Sequence, residues 1–200
     1  MFIQVIQGRV SDPDAIQTRF TAWLEELAPS AEGWLGSTAG MTEDGEFVAM
    51  VRFEDETAAR ANSDRPEQGV WWAETSGLFD GGAQFHDYPN TELFLGGGSD
   101  EAGFVQFIQG TYMGEGSPAE VVENEGELAE MRPDLIGGIY GWNDRGHFTQ
   151  AIYFTSEEEA RQGEQTMGDD DDMARQVETW MSHVENIRYL DVPDPWLVSP

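Results

Sequence analysis

The chain lacks two residue types entirely: it contains no cysteine and no lysine. The absence of cysteine excludes disulfides, thiolate metal sites and cysteine nucleophiles. The absence of lysine excludes Schiff-base chemistry and the lysine of a nucleotide-binding P-loop. Histidine is scarce too, and the spacing of the three present matches no zinc motif. We therefore predict neither a metal site nor a cofactor.

Positive charge is also scarce. Ten basic residues, all arginine, stand against 39 acidic ones, which gives a formal net charge of -29. This balance repels phosphate backbones and anionic lipid, so we predict neither nucleic acid nor membrane as a partner. Such acidity is typical of a surface adapted for solubility or high salt, and an acidic docking face is the alternative.

Long apolar runs are missing, and none approaches the length of a membrane span. The first residues, Met1 to Val5, begin directly with a strand-like pattern and lack a basic targeting region. This pattern predicts a cytoplasmic protein. A hydrophobic content of 39%, with 11 Phe and 7 Trp, is sufficient for a globular core.

An internal repeat is the strongest feature of the sequence. Residues 2–8 (FIQVIQG) align with 104–110 (FVQFIQG), and residues 53–60 align with 154–161. The further matches keep the same order, at offsets between 101 and 104 residues. We therefore predict two modules, at 1–96 and 104–200, joined by a flexible linker at 97–103.

Each module has the pattern of a β-α-β-β-α-β unit, the ferredoxin-like arrangement. In the first copy, Asp12-Pro13 is a typical helix start, and Glu43-Asp44-Gly45 predicts a tight turn between two strands. Each copy ends in an apolar tail that follows a proline. We expect this tail to add an edge strand to the sheet of the other copy, which would cover an open edge.

Both faces of the predicted sheets are apolar. In the third strand, Ala49 and Val51 lie on one face, and Val48 and Met50 lie on the other. Helices can cover one face of each sheet, so the second sheet is the available cover for the other face. The expected fold class is α+β, with two tandem ferredoxin-like modules packed sheet to sheet as an intramolecular dimeric α/β barrel. A homo-oligomer of such pseudo-dimers is a further expectation.

These copies, each with an F-x-x-x-E-A style junction between strand and helix (Phe53 to Ala59, Phe154 to Ala160), resemble the dimeric α/β-barrel superfamily. They are most similar to its antibiotic-biosynthesis monooxygenases. The resemblance implies a barrel with a ligand cavity. It also implies activities that range from cofactor-independent oxygenation of quinols, through haem degradation and isomerisation, to ligand sensing. Haem-degrading members use an Asn, a Trp and a helical His, and this set is not reproduced here.

Strand parity singles out four candidate catalytic residues. If Phe148 and Ile152 face the helices, His147 and Tyr153 point into the barrel, together with Arg52 and His86. A histidine beside Arg and Tyr suits proton abstraction from a phenol or quinol, with Arg steadying the developing anion. The alternative for each histidine is a structural role or a place on the surface at a strand end.

Two hypotheses for function follow, both with a small-molecule ligand as partner. The first is a cofactor-independent monooxygenase or isomerase that acts on an aromatic or polyketide-like compound. The second is a non-catalytic ligand-binding or stress-related protein with the same cavity. A third alternative is that aromatic side chains fill the cavity.

Overall fold

The computed structural model describes residues 1–119, 125–167 and 171–200. In these residues the chain forms ten strands and six α-helices. The strands are β1 (Phe2–Arg9), β2 (Trp34–Met41), β3 (Glu46–Phe53), β4 (Gln84–Tyr88), β5 (Asn90–Phe94), β6 (Phe104–Tyr112), β7 (Leu135–Trp142), β8 (His147–Phe154), β9 (Val184–Val192) and β10 (Trp196–Val198). The helices are α1 (Pro13–Glu26), α2 (Glu56–Ser63), α3 (Pro66–Thr75), α4 (Glu125–Met131), α5 (Glu157–Met167) and α6 (Asp171–Met181).

The strands form two five-stranded antiparallel sheets with equivalent orders. One sheet has the order β10-β2-β3-β1-β4, and the other has the order β5-β7-β8-β6-β9. The chain divides into two compact units that follow these sheets. Unit 1 contains residues 1–89 and 196–200, and unit 2 contains residues 90–195. The mixed α+β class predicted from the sequence is confirmed.

Local sequence explains where the helices of unit 1 begin. The Asp12 carboxylate accepts a hydrogen bond from the Ala15 N–H at 3.0 Å, and Pro13 is the first helical residue of α1. Asp55 caps α2 in the same way, with a bond of 2.9 Å from the Ala58 N–H. Pro66 opens α3 three residues after Ser63, where α2 ends. These caps fix α2 and α3 as two separate helices that run over one face of the sheet.

Both faces of the first sheet are buried, as its apolar pattern predicts. Phe47 and Ala49 lie on the face that the helices cover, and they are 5% and 3% exposed. Val48 and Met50 lie on the opposite face, and their exposure is 0%. Burial of apolar side chains on both faces is worth about 25 cal/mol per Å² removed from water, which makes this sheet the centre of the unit's stability.

The terminal strands are exchanged between the repeats. The tail of the first repeat forms β5 and pairs with β7, and the tail of the second forms β10 and pairs with β2. The predicted edge strands are therefore present. The predicted modules at 1–96 and 104–200 follow the repeat, whereas the compact units differ from them by these two exchanged strands. Among the described residues, no helix is long and apolar enough to span a membrane.

Candidate functional site

A cavity of about 350 Å³ lies in unit 1 between the sheet and its helices. Strands β1 to β4 form its floor, and α1, α2 and α3 form its walls. Eight aromatic side chains line it: Phe20, Trp23, Phe47, Phe53, Trp71, Trp72, Phe79 and Phe85. A cavity of this size with mainly apolar walls suits a flat molecule of a few fused rings.

The aromatic walls are held by contacts with one another. Trp72 packs edge to face on Phe85, with ring centroids 5.0 Å apart, and it lies 6.0 Å from both Trp71 and Phe79. The Trp71 indole donates a hydrogen bond of 2.9 Å to the Arg19 carbonyl. Because the polar edge of Trp71 is satisfied in this way, its ring can present an apolar surface to a ligand.

Two primary amides supply the most directed polar groups of the cavity. The Gln68 carbonyl accepts a hydrogen bond of 2.7 Å from the Trp23 indole. The Asn62 carbonyl accepts one of 2.9 Å from the Arg65 guanidinium, and Asn62 is 7% exposed. With both carbonyls engaged, each side chain keeps its NH₂ group for another acceptor. Each amide can therefore donate a hydrogen bond to an acceptor within the cavity.

A third amide in the lining has the opposite arrangement. Gln4 on β1 donates from its NH₂ group to the Asp87 carboxylate on β4, at 2.9 Å. The corresponding pair in unit 2 is Gln106 and Asp191, also at 2.9 Å. Because the same pair recurs in both units, we interpret it as a structural link between two neighbouring strands rather than as a special feature of the cavity in unit 1.

The described lining residues of this cavity include no histidine, no arginine and no carboxylate. Its polar groups are amides and hydroxyls, which do not titrate near neutral pH. Among the described residues there is also no group of three or more His, Asp or Glu side chains placed to hold a metal ion. The cavity can therefore bind an anion through hydrogen bonds, but its described side chains supply no general base.

Two of the four predicted catalytic residues lie in unit 1, on the sheet face opposite the helices. Arg52 is paired with Ile3, and His86 is paired with Val5, on the two strands that flank β1. The Arg52 Nη2 lies 3.5 Å from the Ser199 hydroxyl, and its Nε is buried without a hydrogen-bond partner in the described residues. Neither residue lines the cavity of unit 1.

The other two predicted residues lie on β8 of unit 2. His147 is the first residue of the strand and is exposed, as in the surface alternative for this histidine. Tyr153 is 1% exposed near the other end of the strand. Six residues of extended chain separate the two by about 20 Å. The structure thus places two predicted residues in each unit and does not bring His147 to Tyr153.

Sequence reasoning missed Asn62 and Gln68. Both lie in helices rich in polar residues, where an amide resembles any solvent-exposed side chain. Their roles depend on Arg65 and Trp23, and Trp23 belongs to a different helix. The dipeptide Trp71-Trp72 was a signal for the cavity in the sequence, because both indoles line it.

Solved structures with this fold cover nearly the whole chain. A candidate monooxygenase from Fusobacterium nucleatum matches with a TM-score of 0.73 and 8% identity, over 99% of this chain and 94% of that chain. A candidate monooxygenase from Lactobacillus acidophilus matches with a TM-score of 0.67 and 10% identity, over 99% of both chains. An anthrone oxidase-like protein matches with a TM-score of 0.68 and 10% identity, over 98% of this chain and 92% of that chain.

These likenesses establish the fold. The chain has the ferredoxin-like, dimeric α+β barrel fold, so the resemblance and the fold class inferred from the sequence are confirmed. No family model and no curated protein matches the sequence. Fold alone does not determine function, which has to be inferred from the cavity.

Proposed function

We propose that the protein is a cofactor-independent monooxygenase that oxidises a flat aromatic, polyketide-like molecule bound in the cavity of unit 1. The observation that carries the proposal is that eight aromatic side chains line the cavity together with two amides, Asn62 and Gln68, whose carbonyls are held by hydrogen bonds. The aromatic rings suit a fused-ring substrate, and the amide N–H groups suit an oxygen that becomes negatively charged. The names of the structural neighbours agree with this class.

Oxidation of an anthrone illustrates the chemistry. The substrate loses a ring C–H proton and becomes an enolate, whose oxygen accepts hydrogen bonds from Asn62 and Gln68. The enolate carbon forms a bond to O₂, and protonation gives a hydroperoxide. Loss of water, by cleavage of the O–O bond and removal of the second C–H proton, leaves a quinone carbonyl. One oxygen atom enters the product and the other leaves as water, and the substrate supplies all of the electrons.

The proposed role of the cavity is to stabilise the anion, and water accepts the proton. Donors aimed at a developing oxyanion in an apolar cavity act by lowering the cost of forming it. Since the described lining has no titratable side chain, the rate should rise with pH until the substrate itself is ionised. A histidine base would instead give a rate that levels off near pH 6.5.

The test is oxygen consumption by the metal-free protein, after treatment with a chelator, on a panel of anthrones and hydroquinones. We expect one O₂ to be consumed for each quinone formed. Asn62→Leu, which keeps the size but removes the amide, should lower kcat/KM by about 10²-fold, the effect of removing one oxyanion donor. Gln17→Leu removes an exposed amide from α1 of the same unit and serves as the matched control.

Three other outcomes would redirect the proposal. Loss of activity in His86→Gln or Tyr153→Phe, with Asn62→Leu unaffected, would move the site to the residues predicted from the sequence. Exchange of the substrate C–H with deuterated water, without oxygen consumption, would indicate an isomerase. Tight binding of a panel member without either reaction would indicate a ligand-binding protein, which the absence of a base among the described lining residues also favours.

A further inference from the structure

Unit 2 contains its own cavity, of about 220 Å³, between its sheet and its helices. Five lining residues form a continuous row across the sheet, one from each strand, because each is the register partner of the next. In the order of the strands they are Glu92, Tyr140, Gln150, Ile108 and Tyr189. Neighbours in such a row have Cβ atoms about 5 Å apart, so a carboxylate, a phenol and an amide lie in sequence along one cavity.

The corresponding row in unit 1 is entirely apolar. In the same strand order it consists of Trp196, Ala39, Ala49, Ile6 and Phe85. At four of the five positions, unit 2 thus has a polar group where the equivalent sheet of unit 1 has an aromatic or aliphatic side chain. Polar groups are costly in an interior unless they find partners, so this difference calls for a ligand or another partner.

Two members of the polar row are buried residues whose polar groups line the cavity. Gln150 is 7% exposed and Tyr140 is 5% exposed, and both line the cavity. Among the described residues, neither the amide nor the hydroxyl has a hydrogen-bond partner. Burial, together with the nearby Glu92 carboxylate, raises the pKa of Tyr140 well above its ordinary value, so the phenol is neutral at physiological pH and keeps its proton to donate.

The charge along the cavity is negative. Glu92 and Glu125 line it, and Glu125 accepts a hydrogen bond of 3.0 Å from the Leu95 N–H. The lining also contains Arg132, but its charge is matched by Asp134, which accepts bonds of 2.9 and 2.6 Å from the guanidinium. Within the described part of the chain, two carboxylates therefore line the cavity without a matching cation, beside aromatic rings such as Phe94 and Trp180.

We propose that the cavity of unit 2 is a second small-molecule site, which binds an arylalkyl amine that carries a hydroxyl on its ring. The ammonium group pairs with Glu92 at one end of the row. The aromatic ring packs between Phe94 and Trp180, and its hydroxyl meets Tyr140 and Gln150. Carboxylates and aromatic faces both favour an organic cation, and the buried amide and phenol select the ligand's polar ring substituent.

The first experiment uses tyramine as the probe and fluorinated tryptophan as the reporter. Four of the seven tryptophans can report on the cavities, because Trp180 lines that of unit 2, and Trp23, Trp71 and Trp72 line that of unit 1. After assignment by single Trp→Phe variants, fluorine NMR should show tyramine shifting the Trp180 resonance and leaving the other three in place. A shift confined to the tryptophans of unit 1, or no shift at millimolar tyramine, would overturn the proposal.

The second experiment tests the two ends of the ligand separately by calorimetry. Glu92→Gln should weaken the binding of tyramine about tenfold, because one charge-assisted hydrogen bond is lost. The affinity for 4-ethylphenol, which has no ammonium group, should not change. Gln150→Leu should reduce the preference for tyramine over phenethylamine, which lacks the ring hydroxyl. The propionate analogue, with a carboxylate in place of the ammonium, should bind at least about tenfold more weakly than tyramine. Equal binding of that analogue, or no effect of Glu92→Gln at this exposed position, would refute the amine site.

Discussion

Arg132 and Asp134 form the most deeply buried ion pair among the described residues. Their side chains are 6% and 8% exposed, and two hydrogen bonds join them. The guanidinium also lies 5.6 Å from the centre of the Phe154 ring, and it occupies the space beside Gly163, where any Cβ would lie 2.2 Å from the Arg132 Nε. A glycine at 163 and the buried arginine therefore depend on each other.

Removing one member of this pair should be strongly destabilising. Arg132→Met leaves the Asp134 carboxylate buried without its partner, and we expect a loss of about 3–5 kcal/mol in the free energy of unfolding. Denaturant unfolding followed by circular dichroism measures the change. Arg9→Met breaks an exposed ion pair with Asp44 and should cost far less.

The double variant Arg132→Met with Asp134→Leu provides the internal check. Since it removes both charges, it should recover much of the lost stability. Equal losses in Arg132→Met and Arg9→Met would contradict the assignment of a buried, coupled pair.

At the residue scale, the sequence predicted helix caps better than it predicted sites. Asp12 caps α1 as expected, because a cap depends on neighbours within three residues. The amide of Gln68 escaped prediction because its orientation depends on Trp23, in another helix. Asn62 has its partner Arg65 only three residues away, but in the sequence it resembles any exposed polar residue of a helix. The polar row of unit 2 could have been found from the repeat itself, since Tyr140 and Gln150 align with Ala39 and Ala49.

At the scale of elements, the exchanged edge strands are the feature with the clearest consequence for stability. β10 covers the open edge of β2, with Trp196 paired to Ala39. The Trp196 ring also packs 5.6 Å from Phe20 and 6.0 Å from Phe47. This strand of three residues therefore both satisfies the edge and completes the apolar core of unit 1.

A chain that ends at Asp194 should self-associate. Without β10, the edge of β2 presents free N–H and C=O groups beside exposed aromatic surface, which is a template for pairing with another chain. Sedimentation velocity at increasing concentration should show oligomers of the truncated chain. A chain that lacks Pro200 alone keeps β10 and should sediment like the full-length protein. A truncated chain with the sedimentation of the full-length protein at all concentrations would contradict this role of β10.

Most helices and strands were predictable because the pattern of each occurs twice, once in each copy of the repeat. The tight turn predicted at Glu43-Asp44-Gly45 lies between β2 and β3, where Gly45 has a φ of 83°, and the equivalent turn between β7 and β8 has Gly146 at 78°. The compact units could not be delimited in this way. The alignment of the repeats records which residues are equivalent, whereas strand exchange decides which sheet each tail joins.

At the scale of the whole molecule, charge is the dominant property. Six of the ten arginines form the eight described ion pairs, and the acidic residues outnumber all ten arginines by 29. Most of these acids have no cation to balance them, so their mutual repulsion opposes the compact state.

Moderate salt should therefore raise the Tm. At low ionic strength the repulsion acts over tens of ångströms, and about 0.15 M salt reduces its range to about 8 Å. Calorimetric melting in sodium chloride at several concentrations measures the effect, and a parallel series in sucrose controls for a general stabiliser. A Tm that stays flat or falls with added salt would indicate that self-repulsion contributes little.

The exchange of edge strands also determines the order in which the two units can be completed during translation. A ribosome makes residues 1–89 of unit 1 first, but Trp196–Val198, which complete its sheet, are made only after the strands of unit 2. Until then the edge of β2 stays open, and Asn90–Phe94 has no partner strand before β7 is made. The first unit to be translated is consequently the last to be finished, and the nascent chain is most prone to pair with a neighbour on the same polysome during that interval.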